Sequence, residues 1–327
     1  MNEKFRSTLT GSDWWKPFLV AYVLFLAVLI PFEYVTLSAK ANPDPSAAAG
    51  ILGFFVLYFL GLTALYSVFG VILFRAFLSH VSLKDKPFAF TGTIGSFLRI
   101  NFVGLFLSII TIGFYIPRYM KRVADFFVNN VEYDGTKANF LGKTGKMFKY
   151  YILGLFLPIL ALIVGGGVYM ATKMLQSGAT PVGGNSSLFA GFAANIVILV
   201  MILPFTYYTY KWMVHIAWKE TRIAWDTRFW PSIGYVLGQI LLCCVTLCIY
   251  FPAASVKIWR YFTTRTVLYV ENRETGRLSF EGATGAGFKL IWIQVLLCLI
   301  TLGIYLPWGY AKILVFFFNN TGVKTTA

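Results

Sequence analysis

One short string closes three separate apolar segments of this chain. Thr111-Ile112-Gly113-Phe114-Tyr115-Ile116-Pro117, Thr246-Leu247-Cys248-Ile249-Tyr250-Phe251-Pro252 and Thr301-Leu302-Gly303-Ile304-Tyr305-Leu306-Pro307 place Thr, Tyr and Pro at one common spacing. The first and last are preceded by matching Phe-x-Gly openings, Phe90-Thr91-Gly92 with Gly95 and Phe280-Glu281-Gly282 with Gly285. A unit repeated in this way, written mostly in residues that hydrocarbon accepts, predicts a duplicated membrane protein.

The composition agrees. Hydrophobic residues make up 58% of the chain and charged ones 13%, a balance that a soluble domain of this size could not keep in solution. A transmembrane helix needs about 20 mainly apolar residues, and the stretches 17–38, 50–74, 95–116, 148–171, 188–210, 232–252 and 286–307 meet that need. The net charge of +15 comes from Lys and Arg in the polar stretches between them. There the positive-inside rule and anionic head groups account for it, so the lipid bilayer is the expected partner, with anionic lipids at the basic junctions and no nucleic acid. Cys243, Cys244, Cys248 and Cys298 lie inside apolar segments at neither zinc nor disulfide spacing and read as packing residues. Ala39-Lys40-Ala41 resembles a leader cleavage site. The run before it is as long as a full span, however, and Phe5, Thr10-Gly11 and Trp14-Trp15 echo the later units, so it reads as an uncleaved first span.

Asp134-Gly135 and Glu274-Thr275-Gly276, set between alternating apolar and polar residues, are β-hairpin signals at the polar junctions. Lys211–Pro231 reads as a degenerate junction of the same kind. The expected fold is therefore an all-α polytopic membrane protein of tandem helical hairpins, with short cytoplasmic β-hairpins at the junctions. Its expected parts are a cytoplasmic N-terminal segment at 1–16, a first transmembrane hairpin at 17–74 and a repeat unit at 75–147. A second long hairpin with its junction follows at 148–230, and two further units at 231–327.

Charge sets the topology. Residues 118–149 hold seven Lys and Arg, from Arg118 to Lys149, whereas the loops 39–47 and 172–187 hold one Lys each. Simple alternation of seven crossings would put the basic stretch outside, against the positive-inside rule. If each Thr-x-x-x-Tyr-x-Pro string is instead a turn, where Gly113 or Gly303 and the proline interrupt the helix, then 118–131, 253–268 and 308–320 return to the starting side. Every basic junction and the N-terminus are then cytoplasmic. Arg118, Lys121 and Arg122 keep a second possibility open for 118–131, an interfacial amphipathic helix.

Thr301-Leu302-Gly303-Ile304-Tyr305-Leu306-Pro307-Trp308, with Phe280-x-Gly282 before it and a basic helix and Asn/Gly turn after it, resembles the YjgN family of bacterial inner-membrane proteins of unknown function. The likeness spans most of 75–327. Arg118 and Ala253 stand where Trp308 stands, and Cys248 replaces the glycine. The resemblance implies a multi-pass inner-membrane location and carries over no catalytic residue.

Gly142-Lys143-Thr144 lacks the glycine five positions earlier that a phosphate loop needs and aligns with Gly92 as a structural glycine. His80 and His215 follow apolar segments without a carboxylate or cysteine at ligand spacing, and read as interfacial hydrogen-bonding residues. Asn195, Arg99, Asn101, Gln239 and Gln294 are polar positions within spans. The two glutamines each lie seven residues before the motif threonine. Ionisable and amide groups in a span mark a functional path, while an interhelical hydrogen bond is the structural reading for the glutamines. The segments with Pro158, Gly165-Gly166-Gly167 and Pro204 are interrupted helices of the kind seen at transport sites. No nucleophile, base and acid can be grouped, so neither an enzyme nor a cofactor or metal is expected.

Two functions follow. One is a solute channel or transporter whose polar path is lined by Arg99, Asn101, Gln239 and Gln294. The other is a non-transporting membrane scaffold or lipid-binding protein. Gly113, Tyr115, Pro117, Tyr250, Pro252, Gly303, Tyr305 and Pro307 are expected to form rigid structural turns, with the Tyr305 hydroxyl at the polar edge of the bilayer.

Overall fold

The computed structural model describes residues 2–41, 48–177 and 188–325. Most of the weakly charged loops 39–47 and 172–187, and the side chain of Asn195, lie outside the described residues.

Short strands alternate with paired helices along the whole chain. Strand β1 (Asn2–Ser7) leads to helices α1 (Trp15–Ala41) and α2 (Ala48–Ser79); β2 (Val81–Leu83) and β3 (Lys86–Phe90) lead to α3 (Ile94–Ile110) and α4 (Ile116–Asn129). Strands β4 (Val131–Tyr133), β5 (Thr136–Lys137) and β6 (Asn139–Phe140) precede α5 (Thr144–Tyr151), α6 (Leu157–Ser177) and α7 (Leu188–Met213). Next come β7 (Ile216–Trp218) and β8 (Thr221–Trp225) with α8 (Phe229–Val245) and α9 (Phe251–Thr263). Last are β9 (Thr266–Val270) and β10 (Arg273–Phe280) with α10 (Thr284–Ile300), α11 (Leu306–Asn319) and β11 (Thr321–Thr325).

The strands form one antiparallel sheet in the order β5-β4-β3-β2-β1-β11-β10-β9-β8-β7-β6. Its two ends are consecutive pieces of one segment, separated by Ala138, whose N–H donates to Val131 O at 2.8 Å. The sheet is thus a nearly closed, barrel-shaped ring. Strands β11 and β1 pair as the two sides of a hairpin that has no turn, Asn2 opposite Lys324 and Lys4 opposite Gly322. In three of the other hairpins both turn residues are left-handed, Lys84-Asp85, Asp134-Gly135 and Glu271-Asn272 all having positive φ, and in the β7–β8 turn Lys219 alone does.

This sheet overturns the all-α expectation with its separate junction hairpins. Turn signals report only local pairing, and a lone two-stranded hairpin is marginal in water and leaves both edges unpaired. Here each hairpin is completed by its neighbours. The N-terminal segment belongs to the ring, and 211–231 holds the complete β7–β8 hairpin.

Five seams between successive hairpins, among the described residues, are built alike. The residue after one strand donates its N–H to the carbonyl just before the next: Thr8 to His80, Thr91 to Asn130, Leu141 to His215, Asp226 to Arg265 and Glu281 to Asn320, at 2.9–3.0 Å. Each acceptor residue also turns its side chain back to the carbonyl four residues earlier in the preceding helix. One residue therefore caps a helix C-terminus and fastens the strand that follows. Phe90, Phe140 and Phe280 fold over Gly92, Gly142 and Gly282, where a Cβ would sit 2.3–2.5 Å from the ring tip. The Phe-x-Gly string is this close approach. The same rings seed separate apolar clusters, Phe90 with Val71, Phe97 and Phe126, Phe140 with Met147 and Trp212, and Phe280 with Val256 and Ile291.

Away from the ring the helices expose apolar side chains. Trp15–Ser38, Gly53–Ser79 and Thr144–Gly166 are long and apolar enough to cross a membrane, by length and composition; α3, α8 and α10 are shorter apolar helices.

Ion pairs link the same neighbours around the ring: Glu3–Lys84 at 2.8 Å, Lys86–Asp134 at 2.5 Å, Asp134–Lys219 at 3.1 Å, Asp226–Arg277 at 3.5 Å and Lys4–Glu281 at 2.7 Å. Their side chains are exposed, so salt screens them and they select partners more than they stabilise. Donation from Lys86, then Lys219, holds the Asp134 carboxyl below its ordinary range. A depressed folded pKa means that the contribution is complete above the unfolded value, about 3.9, and is lost as the pH falls through the folded one. Thermal unfolding of the purified protein should therefore drop in temperature below about pH 4, and Asp134→Asn should flatten both this acid dependence and the salt dependence. Deleting residues 321–327 should lower the unfolding temperature by roughly 5 °C or more, because β1 and β10 both lose a partner. A circular permutant that joins 325 to 2 and opens at Gly135 should melt within about 2 °C of the parent, the new ends lying at an exposed turn.

Candidate functional site

Each Thr-x-x-x-Tyr-x-Pro string is a five-residue turn joining two helices packed side by side. In the last, α10 stops because Leu302 and Gly303 take φ of +49° and +88°, and Gly303 N donates to Cys298 O at 2.7 Å. Thr301 Oγ1 donates to Leu297 O and accepts from Tyr305 N at 3.1 Å. Ile304 N and Leu306 N reach Thr301 O and Gly303 O, and Pro307 has no N–H to satisfy. Every amide from Thr301 to Leu306 is thus used within the turn. The turns at 111–117 and 246–252 make the same bonds, Gly113 N to Ser108 O and Cys248 N to Cys243 O at 2.7 Å, with Thr111 and Thr246 accepting from Tyr115 and Tyr250.

The motif tyrosines turn inward. Tyr250 Oη donates to Gln239 Oε1 at 3.1 Å, and Tyr305 Oη to Gln294 Oε1 at 3.2 Å. Two helical turns further on, a cation lies over each ring: Arg122 over Tyr115 at 5.8 Å, Lys257 over Tyr250 at 5.3 Å and Lys312 over Tyr305 at 5.7 Å. Lys312 Nζ also donates to Tyr305 Oη at 2.9 Å. The Tyr305 hydroxyl is thus directed into its own hairpin. The first short hairpin solves the packing differently. Gly104 stands at the glutamine position and receives the Tyr119 ring, which would lie 2.1 Å from a Cβ there. Tyr119 in turn donates to Asn101 Oδ1 at 2.8 Å, and Tyr115 Oη is buried without a hydrogen-bond partner among the described residues.

The four residues proposed for a polar path are distributed over three hairpins. Asn101 is buried and donates to Ser67 of α2 at 2.6 Å. Gln294 is buried between α10 and α11, its amide also reaching Leu290 O at 3.4 Å. Gln239 lies in a cleft of about 360 Å³ between α8 and α9. Arg99 lines a separate cleft of about 700 Å³ between α3 and α4, beside Arg122 and Asp125. These two clefts occupy the same place in their hairpins. In the larger, Asp125 pairs with Lys121 at 2.6 Å; the smaller holds Lys257, Arg260 and Arg265 and no carboxylate.

His80 and His215 are helix caps, as above. His80 Nε2 also lies 3.6 Å from Asp13, while burial pushes the His215 pKa down and favours its neutral form. Among the described residues, no three His, Cys, Asp or Glu side chains converge as metal ligands. The interruptions expected at Pro158, Gly165-Gly166-Gly167 and Pro204 are absent, since α6 and α7 run through these residues; a π-helical turn at Ile152–Phe156 precedes α6 instead, and its Gly154 packs on Phe205.

With this geometry in place, comparison with known proteins gives one match. The family model "Bacterial protein of unknown function (DUF898)" matches residues 88–273 and 275–327. The chain belongs to this family. No curated protein and no solved structure matches it. The DUF898 match takes in the three short hairpins and the second long one and starts after α2. Its single break, at Glu274, falls at the irregularity in the β9–β10 ladder between Glu274 and Gly276.

Tyr-x6-Lys/Arg was visible in all three DUF898 turn strings as a spacing of seven, which places both side chains on one helical face. Cys248 holds φ +65° where its counterparts are glycine. Cys248→Gly should therefore stabilise the protein by up to about 1 kcal/mol, and Gly303→Ala should cost about 1–2 kcal/mol, both read from denaturant unfolding in one detergent.

Proposed function

We propose that this DUF898 protein, YjgN-like in its turn string, is a multi-pass protein of the bacterial inner membrane that acts as a lipid-binding scaffold. The observation that carries this over a solute channel is that Gln239 and Gln294, the amides best placed to line a path, are each bonded to the tyrosine of their own turn. Such amides lock a hairpin.

The three short hairpins support a re-entrant placement. Helices α3, α8 and α10 have 17 residues each, so they rise about 25 Å at 1.5 Å per residue, short of a hydrocarbon core of about 30 Å. Their tips end in Ile112, Leu247 and Leu302, each at least 80% exposed. An irregular turn can rest in hydrocarbon only if its backbone polar groups are satisfied from within, and these turns meet that demand for their N–H groups. The long hairpins supply the crossings. The strand ring and its basic flanks then lie on the cytoplasmic side by the positive-inside rule, with the N-terminal strand among them.

The test uses vesicles of both orientations and a chain whose four cysteines are replaced by Ser. Arg273→Cys should react with a membrane-impermeant maleimide only from the cytoplasmic face, and Leu302→Cys from neither. Purified protein in liposomes should pass solutes no faster than protein-free liposomes. External labelling at position 302 would refute the re-entrant placement, and a flux abolished by Gln239→Leu would restore the channel.

A further inference from the structure

We propose that the cleft between α8 and α9 binds a phosphate group, supplied in the membrane by the headgroup of an anionic phospholipid; this rests on, and deepens, the lipid-binding reading. The inference starts from a charge imbalance. The stretch 229–263, which holds both helices, contains no Asp or Glu, yet Lys257, Arg260 and the adjoining Arg265 all line one cleft of about 360 Å³. None of the three pairs with a carboxylate among the described residues.

Their existing bonds leave donors free. Arg260 spends Nη2 on Gly282 O at 2.6 Å. Arg265 spends Nη1 on Tyr261 O at 3.1 Å and lies flat on the Tyr261 ring at 3.6 Å. Each guanidinium has five N–H donors, so both keep a fork for phosphate oxygens. Lys257 contributes a point charge held over Tyr250. Gln239 adds a neutral donor: its Oε1 is taken by Tyr250, and its Nε2 has no hydrogen-bond partner among the described residues. The Gln294 amide, in the equivalent place, is already used on Leu290 O.

Comparison of the hairpins singles out this cleft. The position of Arg260 is Asp125 in the first short hairpin, where Lys121 neutralises it, and Val315 in the last. The cations also sit at different heights. Arg260 and Arg265 stand near the strand ring, and Lys257 about two turns below Arg265. Beyond them, on the side of α8 that carries Tyr235 and Gln239, Leu242 is exposed, and Leu247 and Ile249 are exposed at the tip. A headgroup phosphate at the guanidinium end would lay its acyl chains along that apolar face, which a soluble phosphate would leave bare.

The experiment titrates full-length protein in neutral detergent with short-chain phosphatidylglycerol, with phosphatidylcholine of the same chain length, and with inorganic phosphate, read by native mass spectrometry and by thermal shift. One phosphatidylglycerol should bind in preference to phosphatidylcholine. Lys257→Gln, which removes no helix cap and no strand contact, should weaken it at least about tenfold, whereas Arg122→Gln, an equal charge loss in the other cleft, should not. Inorganic phosphate binding with the same Lys257 dependence, and no phosphatidylglycerol binding, would support the phosphate site and assign it a soluble source. If neither probe binds, or if a normally folded Lys257→Gln protein binds both as the parent does, the site is refuted. Failure here with the maleimide pattern intact overturns the site alone; binding here with that pattern lost overturns the membrane placement alone.

Discussion

The fold rests on the pairing of backbone edges. A strand of two to eight residues between helices presents unpaired N–H and C=O groups on both sides, and a hairpin covers only one side of each strand. The hairpins of this chain resolve the remaining edges against their neighbours, except at β5 and β6, the two ends of the sheet. The β1–β11 pairing, between residues more than 300 positions apart, lets that solution run round the whole molecule. Because the contact joins Asn2–Lys4 to Gly322–Lys324, its loop-closure cost in an otherwise unfolded chain is that of nearly the full length.

The ring also sets where every helix stands. At each seam a single residue caps one helix and accepts the hydrogen bond that begins the next strand contact, so helix position and strand register are tied in one side chain. His80, Asn130, His215, Arg265 and Asn320 differ in chemistry and share only a donor able to reach back one helical turn. That tolerance frees the hairpins to diverge. The α8–α9 hairpin keeps three cations free of acids, the α3–α4 hairpin neutralises its own, and the two long hairpins reach the length of a bilayer crossing.

Much of the local structure was legible in the residues. Thr-x-Gly-x-Tyr-x-Pro reads as a turn where glycine and proline interrupt the helix, and helices end and restart at each of the three strings; the bond from the tyrosine N–H to the threonine hydroxyl was not read from the residues. Asp134-Gly135 reads as a tight hairpin turn and is one, whereas Glu274-Thr275-Gly276, read as another, lies inside β10 at a ladder irregularity and the turn is Glu271-Asn272. The inward course of the motif tyrosines was less accessible, since it depends on a glutamine from the facing helix and a cation two turns on. Their recurring seven-residue spacing was the available clue. The Lys211–Pro231 segment reads as a degenerate junction because Trp225-Asp226-Thr227 stands where the others have Phe-x-Gly, and it holds the β7–β8 hairpin with Trp225 stacked on Phe262.

What the sequence determined by itself was therefore the set of local elements: apolar helices of two lengths, their turns, and the hairpins between them. These depend on dihedral preferences and hydrogen bonds between residues a few positions apart. The tertiary structure alone decided that the hairpins join into one ring, that Gln239 and Gln294 are bonded within their own hairpins, and that Lys257, Arg260 and Arg265 share a cleft without an acid. The pairing of one hairpin with the next is carried by backbone groups that are the same in every residue. No side-chain pattern encodes such a contact until packing brings the edges together.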